Sequence, residues 1–505
     1  MKDLKIYFTS DMHGYVYPTD YRDNKKKPIG MLNVINCFNK DENTIIIDGG
    51  DTIQGSPFTT YFSMCGFEEH IISYVINEGQ YDFVTFGNHD FNYGYYYLER
   101  YINGLNAKCI SCNIKDKTNG INIMPYAIKE LENKLKVGII GFTTDFINVW
   151  EQPYNIENFI IEDVLSCVRR TYNEIKDNVD ILIGVYHGGF EKDLDSNKIL
   201  TNTKENIGCK ICEEFDFDIL LTGHQHMPIE GKKINNTFIV QTPPNGEGYI
   251  EINLKYENKI TEINSSLKVP PINPNKRKAG QLYIFEKVVQ EWLDSEIGHL
   301  DIELNPSSHL EMALNGSNLA NFINSVQLEK SGADISCTSF ANSIKGFNKD
   351  VTVRDVVSTY VYPNTLVVLE VTGEILKKAL LRSAEYFNYD GKNVSISDKF
   401  LKPKVEHYNY DYFSGIEYGF NLNENAPNEL DYVKFNGADV KDEDKLTLVM
   451  NNYRATGTGE YEFYKTCKVV KEIQIEMTDI IIEYFENHKN IEVDKTKYIS
   501  IKKSK

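Results

Sequence analysis

Apolar runs of five to eight residues recur through the first 222 positions of the chain, and polar or helical stretches separate them. A short apolar run bounded by turn residues is typical of a buried strand, whereas residues 162–177 have the pattern of a helix. Alternation of strands and helices predicts an α/β layered domain, in which ligands gather where the strands end. The predicted strands are residues 4–10, 43–47, 81–86, 134–141, 179–186 and 217–222.

Five of these six predicted strands are followed closely by a cluster of Asp, Asn, His and Gly. The side chains of these clusters that can donate to a metal ion are Asp11, His13, Asp51, Asn88, His187, His224 and His226. They offer oxygen and nitrogen but no thiolate, which suits Mn, Fe, Zn or Mg rather than a sulfur-rich structural zinc. One histidine after a strand is more often a core or loop residue, but five clusters with the same chemistry favour a metal centre.

Seven donors exceed the needs of one octahedral ion. They divide naturally between two ions about 3.5–4 Å apart that share a carboxylate, which is the two-metal geometry of phosphoester hydrolysis. Asp51 is the candidate for the shared ligand because its two oxygens can bridge. The neighbouring Gly49 and Gly50 let the backbone come close to the ions.

The composition of the sequence changes after about residue 265, where a turn-forming, charged stretch replaces the clusters. A chain of 505 residues is too long for one hydrophobic core. We expect a catalytic domain at 1–268, a linker and connecting helix at 269–297, and a second domain at 298–505. The connecting helix is predicted over 282–297.

The formal net charge of −19 disfavours binding to a nucleic-acid polymer or an anionic membrane. No window approaches 18 uninterrupted apolar residues, so we expect neither a signal peptide nor a membrane span. If Met1 is the native start, the protein is expected to be cytoplasmic. Two C-x-x-C pairs begin at Cys109 and Cys209, and we expect buried free thiols there rather than a zinc site.

The order of the clusters resembles the signature of the calcineurin-like metallophosphoesterases. The matching elements are Asp11-x-His13, Gly50-Asp51, Gly87-Asn88-His89-Asp90, His187 and Gly223-His224-x-His226. Three longer stretches, at 50–57, 87–94 and 451–459, are similar to the 5′-nucleotidase family, above all to its 2′,3′-cyclic-nucleotide 2′-phosphodiesterase/3′-nucleotidase branch. The resemblance implies a four-layer α/β/β/α sandwich followed by an α+β 5′-nucleotidase C-terminal domain.

The resemblance also implies roles for individual residues. The first metal would be held by Asp11, His13, Asp51 and His226, and the second by Asp51, Asn88, His187 and His224. His89 matches the family's non-ligand histidine, which stabilises charge on the phosphoryl group in the transition state. Asn92 stands where the 5′-nucleotidases proper have an aspartate, and this agrees with the cyclic-phosphodiesterase branch.

In this family the second domain clamps the base of the substrate between two aromatic rings. Tyr410 and Tyr461 are the predicted pair, with Tyr453 as a rival for the second ring. The expected function is two-metal hydrolysis of a nucleotide or cyclic nucleotide, with a 5′-nucleotidase or UDP-sugar hydrolase as the first alternative. The second alternative is a catalytically silent nucleotide-binding protein. The identity of the two divalent ions, the preferred base and the oligomeric state stay open.

Overall fold

The computed structural model describes residues 1–66, 68–197, 199, 204–362, 364–402, 405–424, 426–473 and 475–504, with the backbone alone at Trp150. The chain forms two compact units, Met1–Gln290 and Glu291–Lys505. The division falls within helix Lys276–Leu293. This helix starts and ends earlier than the predicted 282–297. It ends earlier because residues 296–300 form a strand that pairs with its neighbours in a three-stranded sheet. At its start, Oδ1 of Asn275 accepts from the backbone N–H of Lys278, a capping contact.

A seven-stranded mixed sheet forms one side of the first unit's centre. Lys2–Thr9 lies inside it and pairs parallel with Thr44–Asp48 and antiparallel with Tyr249–Tyr256. In spatial order the strands are Ile260–Lys268, Tyr249–Tyr256, Lys2–Thr9, Thr44–Asp48, Phe83–Val84, Lys108–Ile110 and Ile123–Met124. Parallel pairing makes the carboxyl ends of the central strands meet at one edge, where three of the predicted clusters begin.

A six-stranded sheet forms the other side. Its four central strands are parallel, and an antiparallel strand flanks them at each edge. In spatial order the strands are Ile229–Ile234, Thr237–Gln241, Ile219–Thr222, Ile181–His187, Lys136–Thr143 and Tyr126–Glu130. His187 is the last residue of its strand, and the loop after Ile219–Thr222 carries His224 and His226.

The hydrophobic core of the first unit lies between the two sheets. Ile45 and Ile47 from one sheet join Ile181 and Ile183 from the other in this core, all of them inaccessible to solvent. Side chains alternate across a strand, so Ile46 is buried on the opposite face. Helix Val164–Ile175 packs against the outer face of the six-stranded sheet. The predicted four-layer α/β/β/α sandwich is confirmed.

Two helices of this unit begin at side-chain caps. Ser56 caps the helix Pro57–Cys65 and Asp163 caps Val164–Ile175, each through its side chain. The helices are Met31–Ile35, Pro57–Cys65, Ile71–Glu78, Tyr95–Asn103, Ile147–Trp150, Pro153–Ile156, Val164–Ile175, Gly208–Glu214 and Lys276–Leu293.

The observed strands differ from the predicted ones mainly at their ends. The strand predicted at 81–86 is reduced to Phe83–Val84. Cys109 lies in the strand Lys108–Ile110, whereas Cys112 lies between this strand and Ile114–Asp116, which belongs to a different sheet. All nine cysteines are among the described residues and are free, and those of the two C-x-x-C pairs are buried, as predicted.

The second unit is an α+β fold, as the resemblance implied. Its largest sheet has, in spatial order, the strands Tyr412–Ser414, Ile335–Thr338, Lys445–Asn451, Leu366–Thr372 and Lys468–Ile473. A four-stranded sheet contains Ala438–Asp439, Glu429–Phe435, Glu417–Asn423 and Ile499–Ser504. The smaller sheets are Asp350–Thr352, Glu296–Leu300 and Asn490–Ile491, and the hairpin Phe387–Tyr389 with Val394–Ile396.

Helices of this second unit pack against both larger sheets. Ser308 and Glu311 form a capping box at the start of one of them. The helices are His309–Asn315, Asn318–Ser331, Val353–Thr359, Gly373–Ala384, Asn452–Ala455 and Met477–Asn487. Over the described part of the whole chain, no helix combines the length and apolar character needed to cross a membrane.

Candidate metal centre

The strand-end loops of the first unit bring the predicted donors together in two groups. One group contains Asp11, His13 and His226, and in each group one ligand atom per residue lies within 4.8 Å of the others. The second group contains Asp51, His187 and His224. Asn88 belongs with the second group, because its Oδ1 lies 2.8 Å from Nδ1 of His224.

Close backbone approach explains the glycines in these clusters. A Cβ atom on Gly87 would lie 2.0 Å from Oδ1 of Asp51, and one on Gly50 would lie 2.2 Å from the backbone nitrogen of Gly87. The loops are further joined by hydrogen bonds from the backbone N–H of Asp11 to Gly50 and from that of His13 to Asp51, each 2.8 Å long. Only glycine fits where the second and third loops touch.

Asp90, which the sequence analysis quoted only as part of a motif, holds two of these loops in place. One carboxylate oxygen accepts from the backbone N–H groups of Gly87 and Asp51, and the other from those of Thr52 and Ile53, at 2.8–3.1 Å. The side chain is buried. It therefore fixes the loop of the bridging candidate against the loop of Asn88 and His89.

Five of the predicted ligands have left-handed backbone conformations, which residues other than glycine rarely adopt. Their φ angles are 57° at Asp11, 46° at His13, 54° at Asp51, 71° at His224 and 56° at His226. Such strain clusters at functional sites, where the surrounding structure enforces it.

Fixed carbonyl oxygens orient two of the histidines. Nδ1 of His13 lies 2.9 Å from the carbonyl oxygen of Gln54, and Nδ1 of His187 lies 2.8 Å from that of Gly49. A carbonyl can only accept, so both rings carry their proton on Nδ1 and present Nε2 to the centre. Burial lowers the pKa of His13 to about 4 despite the nearby charge of Asp51, which keeps this ring neutral at pH 7.

A carboxylate orients the third histidine. Nε2 of His224 lies 3.0 Å from Oε1 of Glu205, and Nδ1 faces Oδ1 of Asn88. An Nε2–H donated to Glu205 leaves Nδ1 as the ligand atom, the arrangement of a carboxylate–histidine–metal triad. No sequence pattern indicates Glu205, because it lies between predicted elements and outside every motif.

Two buried atoms in the second group, Oδ2 of Asp51 and Nε2 of His187, have no hydrogen-bond partner among the described residues other than each other. They face each other at 3.1 Å, and their side chains are 1% and 0% exposed. Buried polar atoms without a partner are rare and call for an explanation. A cation between them would bind both lone pairs, so the residues present fit a divalent metal ion.

The charges in the centre support the same interpretation. Burial alone would raise the pKa of Asp51, but His187, His89 and His13 together lower it well below its usual range. Burial alone would lower the pKa of His187, but Asp51 raises it to about 10. Without cations the centre thus holds a proton on a predicted ligand, which a metal ion must displace.

The first group is more open to solvent. Oδ1 of Asp11 lies 3.4 Å from Nε2 of His226, and Nε2 of His13 lies 3.0 Å from the same nitrogen. The side chain of His226 is 40% exposed, whereas Asp11 is fully buried. This group therefore lies at the mouth of the centre, where a phosphate can reach it.

His89 lies beside the donors, with its ring 5.7 Å from that of His13 between centroids. Its backbone N–H donates to Oδ1 of Asp51 at 2.7 Å, and its Nδ1 lies 2.8 Å from Oδ1 of Asn92. Asn92 in turn donates to Oε2 of Glu151. The sequence predicted His89 and Asn92 as neighbours but gave no indication of Glu151.

The structure does not support Tyr410 and Tyr461 as open stacking surfaces. Tyr410 is 2% exposed and packs against the rings of Tyr386 and Tyr412, each 4.8 Å away between centroids. Tyr461 is 0% exposed and lies under the guanidinium of Arg454, which is 4.2 Å from its ring centroid. Both rings are part of the second unit's core, so neither has a face free for a base.

Two protein-family models match the chain, one in each half. The calcineurin-like phosphoesterase model matches residues 4–228, and the model of the 5′-nucleotidase C-terminal domain matches residues 296–466. A solved structure of a Staphylococcus aureus protein assigned as a 5′-nucleotidase, in complex with α-ketoglutarate, superposes with a TM-score of 0.80. Its sequence is 32% identical, and the match covers 100% of both chains.

Curated relatives agree with these matches. The 2′,3′-cyclic-nucleotide 2′-phosphodiesterase/3′-nucleotidase of Salmonella typhimurium is 24% identical over 90% of this chain and 81% of its own length. The trifunctional nucleotide phosphoesterase protein YfkN of Bacillus subtilis is 24% identical over 97% of this chain. The present chain spans 38% of that longer protein. On this evidence the chain belongs to the 5′-nucleotidase family of calcineurin-like metallophosphoesterases.

Proposed function

We propose that this phosphoester hydrolase acts on 2′,3′-cyclic nucleotides and 3′-nucleotides. The observation that supports hydrolysis most strongly is the pair of buried atoms on Asp51 and His187, which have only each other as partners, within a complete set of oxygen and nitrogen donors. The same completeness argues against a catalytically silent nucleotide-binding protein.

The proposed division of ligands follows the two groups. Asp11, His13 and His226 would hold one divalent ion, Asn88, His187 and His224 the other, and Asp51 both. Mn, Zn, Mg and Fe all suit these donors. Bound there, two such ions polarise the phosphoryl oxygens and make hydroxide available at neutral pH.

The residues around the ions contribute orientation and charge. Asp90 and the carbonyl groups of Gln54 and Gly49 fix the ligand atoms before a substrate arrives. His89 is not needed as a ligand. With Nδ1 facing Oδ1 of Asn92, its Nε2 would donate to a phosphoryl oxygen on which negative charge builds when the ring is protonated on both nitrogens. His89 is therefore the proposed catalytic residue, with Asn92 as its hydrogen-bond partner.

The choice of substrate rests on Asn92 and on the relative from Salmonella typhimurium, whose name states cyclic-nucleotide phosphodiesterase and 3′-nucleotidase activities. An amide at this position cannot ionise beside His89 as an aspartate does. A strained cyclic diester expels its leaving oxygen more readily than a 5′-monoester, so it needs less help from an imidazolium. The solved structure from Staphylococcus aureus favours 5′-nucleotidase activity as the second candidate.

Two other tyrosines of the second unit are more accessible to solvent than Tyr410 and Tyr461. Tyr453 is 44% exposed, and Tyr408 is half-buried with its hydroxyl donating to Glu406. Burial and the neighbouring Glu406 and Tyr453 raise the pKa of Tyr408. Arg454, adjacent to Tyr453, donates to the backbone carbonyl of Tyr408 at 2.9 Å and so ties the two segments together. We propose Tyr408 and Tyr453 as the base-binding rings.

A substrate panel tests the proposal. The purified protein is loaded with Mn²⁺, Zn²⁺, Mg²⁺ or Fe²⁺ and assayed with 2′,3′-cyclic AMP, 3′-AMP, 5′-AMP, UDP-glucose and bis(4-nitrophenyl) phosphate. We expect the highest kcat/KM on 2′,3′-cyclic AMP, followed by 3′-AMP. A preference for 5′-AMP or UDP-glucose would replace the proposed substrate by the corresponding alternative, whereas no turnover with two ions bound would refute hydrolysis itself. The cytoplasmic location stays a prediction, which cell fractionation would test.

A further inference from the structure

Glu151 lies directly after the short helix Ile147–Trp150 and has one carboxylate oxygen anchored by its own segment. Its Oε1 accepts from the backbone N–H of Gln152 at 2.7 Å and from Nδ2 of Asn155 at 2.8 Å. Asn155 is 7% exposed, and the same Nδ2 also donates to the backbone carbonyl of Asn92 at 3.1 Å. The carboxylate is thus held in a fixed position beside Asn92.

The second oxygen of Glu151 decides which way the Asn92 amide points. Nδ2 of Asn92 donates to Oε2 of Glu151 at 2.5 Å, and Oδ1 of Asn92 faces Nδ1 of His89 at 2.8 Å. A flipped amide would place its oxygen against a carboxylate oxygen, which can only accept. The carboxylate therefore selects one amide orientation, and that orientation requires Nδ1 of His89 to be the donor.

We propose that Glu151 is a positioning residue that acts on His89 through Asn92. The chain of hydrogen bonds from Glu151 to Asn92 to His89 holds the ring with Nδ1–H toward Asn92. Nε2 can then donate to a phosphoryl oxygen when the ring carries a proton on both nitrogens, a cationic form that the carboxylate of Glu151 favours through Asn92. The inference rests on phosphoester hydrolysis at this centre and not on which nucleotide is preferred. Each activity assay below therefore uses bis(4-nitrophenyl) phosphate beside 2′,3′-cyclic AMP.

The variant Glu151→Gln tests the direction of the hydrogen bonds with almost no change in shape. Its amide oxygen is claimed by the two donors on Gln152 and Asn155, so its NH₂ group faces Asn92. Asn92 must then turn its oxygen toward position 151 and its NH₂ toward His89, which reverses the chain. We expect kcat to fall about 10–100-fold, as for other lost outer partners of active-site groups, with KM and metal content unchanged. Glu151→Ala removes the anchor and should have a similar effect.

A charge swap provides the rescue. Asn92→Asp alone sets a second carboxylate against Glu151, and like charges in contact repel, so activity should fall. In Asn92→Asp/Glu151→Gln the introduced aspartate accepts from Nδ1 of His89 and from the glutamine NH₂, which restores every hydrogen bond at the wild-type net charge. We expect kcat of this double variant to recover toward that of the wild type.

Two further measurements separate positioning from general damage. In a His89→Ala background Glu151→Ala should cause no additional loss of kcat, because the chain acts only through His89. Glu157→Gln, an exposed glutamate on the same segment, is the matched control and should leave kcat unchanged. Elemental analysis of each variant should show the wild-type number of bound ions.

Nitrogen-15 spectra of histidine-labelled, zinc-loaded protein report the orientation without any substrate. The ten histidines include His89, whose signal is identified by its loss in His89→Ala. We expect Nδ1 of His89 to carry a proton in the wild type and Nδ1 to lose it in Glu151→Gln. A wild-type ring without a proton on Nδ1, an unchanged kcat in Glu151→Gln, or a further loss in the His89→Ala background would each overturn the proposal.

Discussion

Asp90→Asn is expected to destabilise the first unit and weaken metal binding. Burial and the charge of Asp51 raise the pKa of Asp90 to about 6, so the side chain is ionised at pH 7.5. Its four buried hydrogen bonds come from backbone N–H groups, two on each oxygen. The amide replaces one oxygen by an NH₂ group that faces two N–H donors. Each lost bond to a charged acceptor is worth about 1.5–3 kcal/mol, so two of them give about 3–6 kcal/mol.

Calorimetry and elemental analysis measure this effect. The first unit, Met1–Gln290, has an unfolding entropy of about 0.6 kcal/mol/K, so 1 kcal/mol lowers its Tm by about 1.6 °C and its transition should fall by about 5 °C or more. Less bound metal should accompany it, because Asp51 loses the contact that fixes its loop. Asp3→Asn removes the same charge at an exposed position and should leave both quantities unchanged. A Tm for Asp90→Asn within 2 °C of the wild type would refute the reasoning, because a loss of about 3 kcal/mol should lower Tm by more than that.

Three further experiments address the centre and one the base-binding rings. Asp51→Ala should abolish hydrolysis and lower bound metal, and two tightly bound ions in this variant would contradict a shared ligand. His89→Ala should keep its metal while kcat falls roughly 10²–10³-fold, the usual cost of one transition-state donor, whereas metal loss would make His89 a ligand. Because the pKa of His187 is raised to about 10 in the metal-free protein, its proton is present at pH 7.5 and must leave on coordination. Calorimetric titration in buffers of different ionisation enthalpy should show proton release, and zero release would refute this. Tyr453→Ala should raise KM for nucleotides but spare bis(4-nitrophenyl) phosphate, unlike the exposed control Tyr96→Ala, and equal losses on both substrates would indicate a folding defect.

The layered fold and the grouping of donors follow from local patterns. Strands of five to eight residues can be recognised from apolar runs, and parallel pairing then brings their carboxyl ends together. The ends of elements are less predictable because pairing decides them. Phe83–Val84 is shorter than its apolar run, and Glu296–Leu300 is a strand where the amphipathic pattern suggested the end of a helix.

Contacts between distant segments could not be predicted from the sequence. Glu151 and Glu205 reach Asn92 and His224 across 59 and 19 positions, and neither lies in a recognisable pattern. The tyrosine assignments failed for a related reason. Tyr408 lies in the short 3-10 helix His407–Asn409, whereas Tyr412 begins the strand Tyr412–Ser414, so no single periodicity covers the tyrosines at 408, 410 and 412, and only the packing tells which of them belong to the core.

The left-handed backbone at Asp11, His13, Asp51, His224 and His226 sets a limit on how this enzyme can be stabilised. Each such residue costs about 1–2 kcal/mol relative to glycine, so the five together withhold about 5–10 kcal/mol from the folded state. Glycine would relieve the strain at every one of these positions, and at every one it would remove a proposed metal ligand. A screen for thermostability alone would therefore select glycines here and produce robust but inactive proteins. Selection for stability favours glycine at these five positions, whereas selection for hydrolysis favours the present residues. Only an assay that includes turnover retains them.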